Sequence, residues 1–269
     1  MRPLGTDGIV VGAQSIEWDG VGPNAALLLH GFGDTPQTLE YLAADLHARG
    51  WTVRVPLLPG HGRTIHEFAG SRAQDWIAAA RTELAYVRAR SNVVAVVGLS
   101  MGGALATILA AESDGITALV LVAPYLGMPV WMRAAARAHW LIGAVAPYVS
   151  GGDAQSIHDP AERRRNLAYD ATTPRLVAEL RRIVRAADTA LPRVTAPTLV
   201  LQSRADNRVA SSVAERAFAR LGARDKRLVW TTRGGHVVTV DHGREDVARQ
   251  VGEWLEAHVP AERMMLRPA

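Results

Sequence analysis

Residues 93–112, VVAVVGLSMGGALATILAAE, set a run of apolar, mostly β-branched residues against a glycine-flanked serine, with a helical segment directly behind it. Such a run suits a strand buried on both faces. The whole stretch therefore predicts a strand, a tight turn with Ser100 at its apex, and a helix. Gly98, Gly102 and Gly103 flank the serine where side chains would crowd it. A sharp strand-to-helix turn of this GxSxG pattern exposes a serine alcohol and aims the next backbone N–H groups, beginning with Met101, at a developing oxyanion.

Composition narrows the setting. At 269 residues the chain can bury a sizeable core as one large or two small domains. Net charge is +4, and Lys226 is the only lysine, so the basic character comes from a general preference for arginine rather than from a polyanion-binding face, and no nucleic-acid partner is expected. No cysteine is present, which excludes disulfides and thiolate metal sites. The first residues, MRPLGTDGIVVGAQ, lack a long apolar core, and no apolar run approaches bilayer length. The expectation is a cytoplasmic protein without an integral membrane segment, monomeric or homodimeric.

Along the chain, residues 8–18 read as an edge strand, and residues 25–29 as a short apolar strand running into HGFGD. His30-Gly31-Phe32-Gly33 forms a loop whose backbone can approach a ligand closely. Thr35 is expected to cap a helix with Pro36 at its first position, Leu39, Leu42 and Leu46 on one face, and Gly50 as terminator. Trp51, Val53 and Val55 alternate as a strand that ends in LLPGHG. His61 in that turn has no second ligand at useful spacing and reads as a turn histidine held by backbone hydrogen bonds. Residues 73–90 form an amphipathic helix with Trp76, Ile77, Ala80, Leu84 and Val87 inward. Another apolar strand follows over residues 117–122. This alternation predicts a mostly parallel sheet flanked by helices.

The alternation stops at residues 127–189, where no strand is expected and helices start at Asp159-Pro160 and Thr173-Pro174. About sixty helical residues inside an α/β chain suggest a cap over the C-terminal edge of the sheet. The division expected is a core of residues 1–126 and 190–269 and an inserted helical cap of residues 127–189. Trp131, Trp140 and Tyr148 in the cap, with Val237 beyond it, are candidate substrate contacts. Arg163 to Arg165, and Arg181, Arg182 and Arg185, could hold an anionic surface, but read first as solvated faces interleaved with Glu162 and Glu179. Strands resume at 197–202 and 227–231, with a capping box of Ser212 and Glu215 between them. A last helix has Val247, Val251, Trp254 and Leu255 inward.

A serine nucleophile needs a base and an orienting acid. Asp206 lies four residues beyond one late strand and His236 five beyond the next, on the same sheet edge as Ser100. Asp241 is the rival acid; it trails the histidine in one loop and reads as a brace for it.

Nearly the whole chain resembles the α/β-hydrolase superfamily, and within it small bacterial carboxylesterases and monoacylglycerol lipases. The matching motifs are HGFG at His30, PGHG at Pro59, GLSMGG at Gly98, R-x-D ending at Asp206, and GHVVTVD at Gly235. The chain order Ser, Asp, His is that of this superfamily. The resemblance implies Ser100 as nucleophile, His236 as base, Asp206 as orienting acid, and the backbone N–H groups of Phe32 and Met101 as an oxyanion hole. It further implies a small-molecule acyl ester as substrate, with no metal and no organic cofactor. Acyltransferases, peptidases, C–C hydrolases and non-catalytic receptors on the same fold stay open as alternatives.

Overall fold

The computed structural model describes residues 3–150 and 156–260. Its seven-stranded sheet is built from β1 (Ile16–Trp18), β2 (Asn24–Leu29), β3 (Thr52–Val55), β4 (Val93–Leu99), β5 (Ala118–Val122), β8 (Thr198–Ser203) and β9 (Lys226–Thr231). The spatial order is β1-β3-β2-β4-β5-β8-β9, and only β1 runs antiparallel to its neighbour. Every residue of β4, β5 and β8 is buried. Helices cover both faces, and that is why these strands read as continuous apolar runs.

The two faces are separate cores divided by the pleat. Leu27 and Leu29 of β2 pack with α3 (Ala73–Arg88), α4 (Met101–Glu112) and α8 (Pro174–Ala190). Ala26 and Leu28 pack on the other side with α1 (Glu40–Ala48) and α10 (Arg244–Ala257). Successive side chains of a strand point to opposite faces, so one short strand serves both. The expected inward faces of α3 and α10 are buried, Trp76, Ala80, Leu84 and Val87 in one, and Val247, Val251, Trp254 and Leu255 in the other, except that Ile77 of α3 is only half-buried at the margin of the core.

Between β5 and β8 lie α5 (Val130–Arg137), α6 (His139–Val145), α7 (Pro160–Arg165) and α8. The sequence marks the last two starts correctly. Asp159 accepts from the N–H groups of Ala161 and Glu162, and Thr173 from that of Leu176. Two short strands absent from the sequence reading, β6 (Val149–Ser150) and β7 (Ala171–Thr172), pair antiparallel here. Two residues are too few to establish a periodicity. Residues 151–155 of this segment lie outside the described residues. The apolar face of α8, including Leu176, Leu180 and Ile183, belongs to the same core cluster as α3 and α4.

Three local expectations are corrected. The edge strand read over residues 8–18 is only Ile16–Trp18, preceded by a single bridge between Leu4 and Val10. Thr35 makes no side-chain cap: Pro36–Leu39 is a 3-10 turn, α1 begins at Glu40, and the Thr35 hydroxyl is buried without a partner. The helix α9 (Ser211–Arg220) is preceded by Ala210 with no side-chain cap. It starts two residues earlier than the capping-box reading requires, which puts Ser212 inside the first turn.

Candidate active site

Ser100 sits between the end of β4 and the start of α4 with φ 55° and ψ −115°, a left-handed-side conformation for a residue with a side chain. Such a backbone costs about 1–3 kcal/mol and persists only where the surroundings impose it. Here the Ser100 N–H donates to Val122 O (3.0 Å), and its carbonyl accepts from the N–H groups of Gly103 (3.0 Å) and Tyr125 (3.0 Å). The glycines have a different task from the one read in the sequence. A Cβ at Gly98 would meet the Gly102 backbone, one at Gly102 would meet the Leu29 carbonyl, and one at Gly103 would lie 2.9 Å from Pro124 Cβ. They let the turn close against its own strand and the next one. The glycine beside the nucleophile is Gly31, where a Cβ would lie 3.4 Å from Ser100 Cβ and 2.8 Å from Asp34 Oδ2.

His236, in the loop after β9, bridges the other two residues. Its Nε2 is 2.9 Å from Ser100 Oγ and its Nδ1 is 2.8 Å from Asp206 Oδ2. The network assigns the tautomer: Nδ1–H donates to the carboxylate, and Nε2 is left to accept the serine proton. Asp206 Oδ1 accepts from the N–H groups of Arg208 (2.7 Å) and Val209 (2.8 Å), and Oδ2 also accepts from Gln202 Nε2 (2.8 Å). Burial acts to raise the pKa of Asp206, but the hydrogen bond and charge of His236 with the two N–H donors outweigh it and hold the pKa below the usual range. Asp241 makes no bond to His236. Its oxygens accept the N–H groups of Gly235 (2.7 Å), His158 (2.7 Å), Asp159 (2.8 Å) and His242 (2.7 Å).

The loop after β2 is held from beneath by His30. Its Nδ1–H donates to Gly31 O (2.9 Å), and its Nε2 accepts from Leu58 N–H (3.1 Å). Burial pushes the His30 pKa down to about 4, so the ring is a neutral structural element. His61, as expected, is a turn histidine, with Nδ1 3.1 Å from Pro59 O and its ring against His30, Phe68 and Trp76. The Phe32 N–H has no acceptor among the described residues. Met101 opens α4, so no preceding helical turn exists to satisfy its N–H. Among the described residues neither N–H has an acceptor.

Asp34 escaped the sequence reading. It is 8% exposed, its carboxylate accepts no hydrogen bond among the described residues, and it lies beside Gly31. Burial raises its pKa to about 6 against the opposing charges of His236 and Arg208. The signal available was an acid directly after HGFG on the edge where sites assemble. The candidate substrate contacts differ from this cluster in burial. Trp131, Trp140 and Tyr148 are 69%, 70% and 47% exposed on the outer helices and the turn beyond them, and Val237 is buried in the core with Val238 and Val240. Met132 is half-buried, and its sulfur accepts from Tyr125 Oη (3.3 Å). Among the described residues no three His, Asp or Glu side chains converge as a metal site, and no helix is long and apolar enough to cross a membrane.

The family described as serine aminopeptidase, S33, matches residues 23–243. A thermostable monoacylglycerol lipase of Bacillus sp. (strain H-257) is 27% identical over 237 residues, covering 88% of this chain and 92% of that one. A carboxylesterase of Bacillus subtilis (strain 168) is 25% identical over 236 residues, covering 87% and 93%. A solved structure from work on the metagenome-derived lipolytic enzymes LipS and LipT superposes with a TM-score of 0.84 at 30% identity, covering 92% of this chain and 98% of that one.

Proposed function

Since the chain belongs to the serine aminopeptidase S33 family of α/β-hydrolases and is a serine esterase or lipase, we propose that it hydrolyses short-to-medium acyl esters, monoacylglycerols among them, through an acyl-enzyme on Ser100. The observation that carries this reading is the His236 ring, 2.9 Å from Ser100 Oγ and 2.8 Å from Asp206 Oδ2. Asp206 keeps Nδ1 protonated, Nε2 takes the Ser100 proton, and Oγ attacks the ester carbonyl. The N–H groups of Phe32 and Met101 receive the tetrahedral oxyanion, each supplying about 3 kcal/mol. The alcohol leaves with the proton from His236, and water repeats the cycle on the acyl-enzyme. No step calls for a metal or an organic cofactor.

Fold and triad define acyl chemistry rather than the leaving group. The family description names a peptidase, while the relatives at hand are named as lipases and esterases. Residues 127–189 are assigned here as the cap that sets acyl length, with the exposed Trp131, Trp140 and Tyr148 offered to the far end of the acyl chain and the buried Val237, next to His236, as a contact nearer the chemistry. The test is an initial-rate panel of acyl esters from short to long, with glycerol monoesters and aminoacyl anilides as further arms. Ester turnover with an acyl-enzyme burst is expected. Turnover of the anilides alone, or ester turnover that survives Ser100→Ala, overturns the reading.

A further inference from the structure

α5 and α8 enclose a groove of about 500 Å3 lined by Val130, Arg133, Ala134, Arg137, Arg181 and Arg185. The four arginines are two i,i+4 pairs, one on each helix, so helical spacing turns both members of each pair toward the same face. The sequence reading treated the α8 arginines as solvated partners of Glu179, and the structure divides them. Arg182 pairs with Glu179 at 2.6 Å, while Arg181 and Arg185 turn away to meet Arg133 and Arg137. None of the four pairs with a carboxylate among the described residues. The Nε–H of Arg181 is buried without an acceptor. Burial, followed by the charges of Arg137, Arg185 and Arg133, makes the Arg181 guanidinium give up its proton more readily than a free one.

Four like charges on one groove oppose folding, and a buried donor without an acceptor adds to that cost. Both penalties are relieved by the same thing, a multiply charged oxyanion seated between the helices. Planar guanidinium forks bind phosphoryl oxygens in bidentate fashion, which favours phosphate over a compact cation-binding or apolar ligand. We propose that Arg133, Arg137, Arg181 and Arg185 form an anion site for a phosphoryl group carried on a phosphoester. The groove exceeds what one phosphate fills, leaving room for the substituent. Its lining includes none of Ser100, Asp206 and His236, and the proposal does not rest on the hydrolytic reading.

The test is thermal unfolding of the full chain in inorganic phosphate against chloride at matched ionic strength. Wild type is expected to gain a few degrees in Tm, saturably, in phosphate only. Arg137→Gln/Arg185→Gln is expected to unfold at a higher temperature than wild type in chloride, through relief of repulsion. The same variant should lose the phosphate response by at least tenfold in apparent affinity and keep wild-type turnover of a soluble short ester. Absence of a phosphate effect in wild type, or an equal effect in the variant, overturns the site. Should the double variant fail to fold, Arg137→Glu provides the same comparison from an exposed position. Flotation with phosphatidylglycerol against phosphatidylcholine vesicles separates the sources. Arginine-dependent binding to the anionic vesicles supports the site with a lipid headgroup as its ligand, and phosphate binding without it supports the site with a soluble phosphoester.

Discussion

Asp241 Oδ2 accepts the N–H of Gly235 at 2.7 Å, one residue before His236, and the same oxygen accepts the N–H of His158 at 2.7 Å. A single carboxylate thereby ties the histidine loop to the segment between β5 and β8. Asp206, by contrast, bonds the histidine ring itself. Asp206→Asn is expected to lower kcat by about 10⁴-fold, because an amide favours the wrong tautomer. Asp241→Asn replaces an acceptor by a donor at one oxygen. It is expected to cost about 1–3 kcal/mol of stability and less than tenfold in kcat. Steady-state kinetics beside denaturant titrations separate the two effects, and a larger kcat loss for Asp241→Asn would reverse the assignment of the acid.

Ser100→Ala and His236→Ala should each lower turnover by about three to six orders of magnitude, with the double variant little worse than either, because members of one catalytic unit are not additive. The backbone adds an independent readout. With φ at 55°, Ser100→Gly removes strain of about 1–3 kcal/mol, less a smaller entropic cost of glycine in the unfolded chain. An inactive but more stable protein is expected, and a lower Tm for Ser100→Gly would argue that the elbow is unstrained.

Asp34 sets a pH dependence of unusual sign for an aspartate. Its pKa rises from 3.8 to about 6 on folding, so the native state binds the proton more tightly than the unfolded chain. Stability from this group is full below pH 4 and is lost as pH rises through about 6, a change of about 3 kcal/mol at most. Asp34→Asn should therefore be more stable than wild type at pH 8 and by a smaller margin at pH 4. Urea titrations at the two pH values measure the difference, and a constant gap between the proteins contradicts it.

Trp131 and Trp140 are exposed by more than two thirds, so replacing either by Ala is expected to change stability by less than about 0.5 kcal/mol. Any effect on catalysis should be confined to KM for the longest esters, since a side chain at the rim meets only the far end of a chain. A uniform fall in kcat across the ester panel would place these residues nearer the chemistry than their exposure allows.

The residues on the sheet edge were legible before any coordinates. Ser100 and Asp206 each follow a strand buried on both faces, which is written in local sequence as an unbroken apolar run, whereas His236 follows the half-buried β9. Helix starts at Asp159 and Thr173 were legible for a similar reason, since a cap is a contact between residues three apart. Asp206 was preferred to Asp241 from its place after a late strand and from the chain order, but the contact itself was not legible, because thirty residues separate Asp206 from His236 and only the path of the loops brings its carboxylate to Nδ1. Asp34 stayed hidden because its raised pKa comes from burial and from His236 and Arg208, groups some two hundred and one hundred and seventy residues away. The arginine groove is of the same kind: each helix carries an ordinary i,i+4 pair, and only the packing of α5 on α8 makes four charges share one space. Period and spacing along the chain determine which elements form and where a reactive loop begins. Electrostatics at a distance of a few ångströms between remote segments is decided by tertiary packing alone.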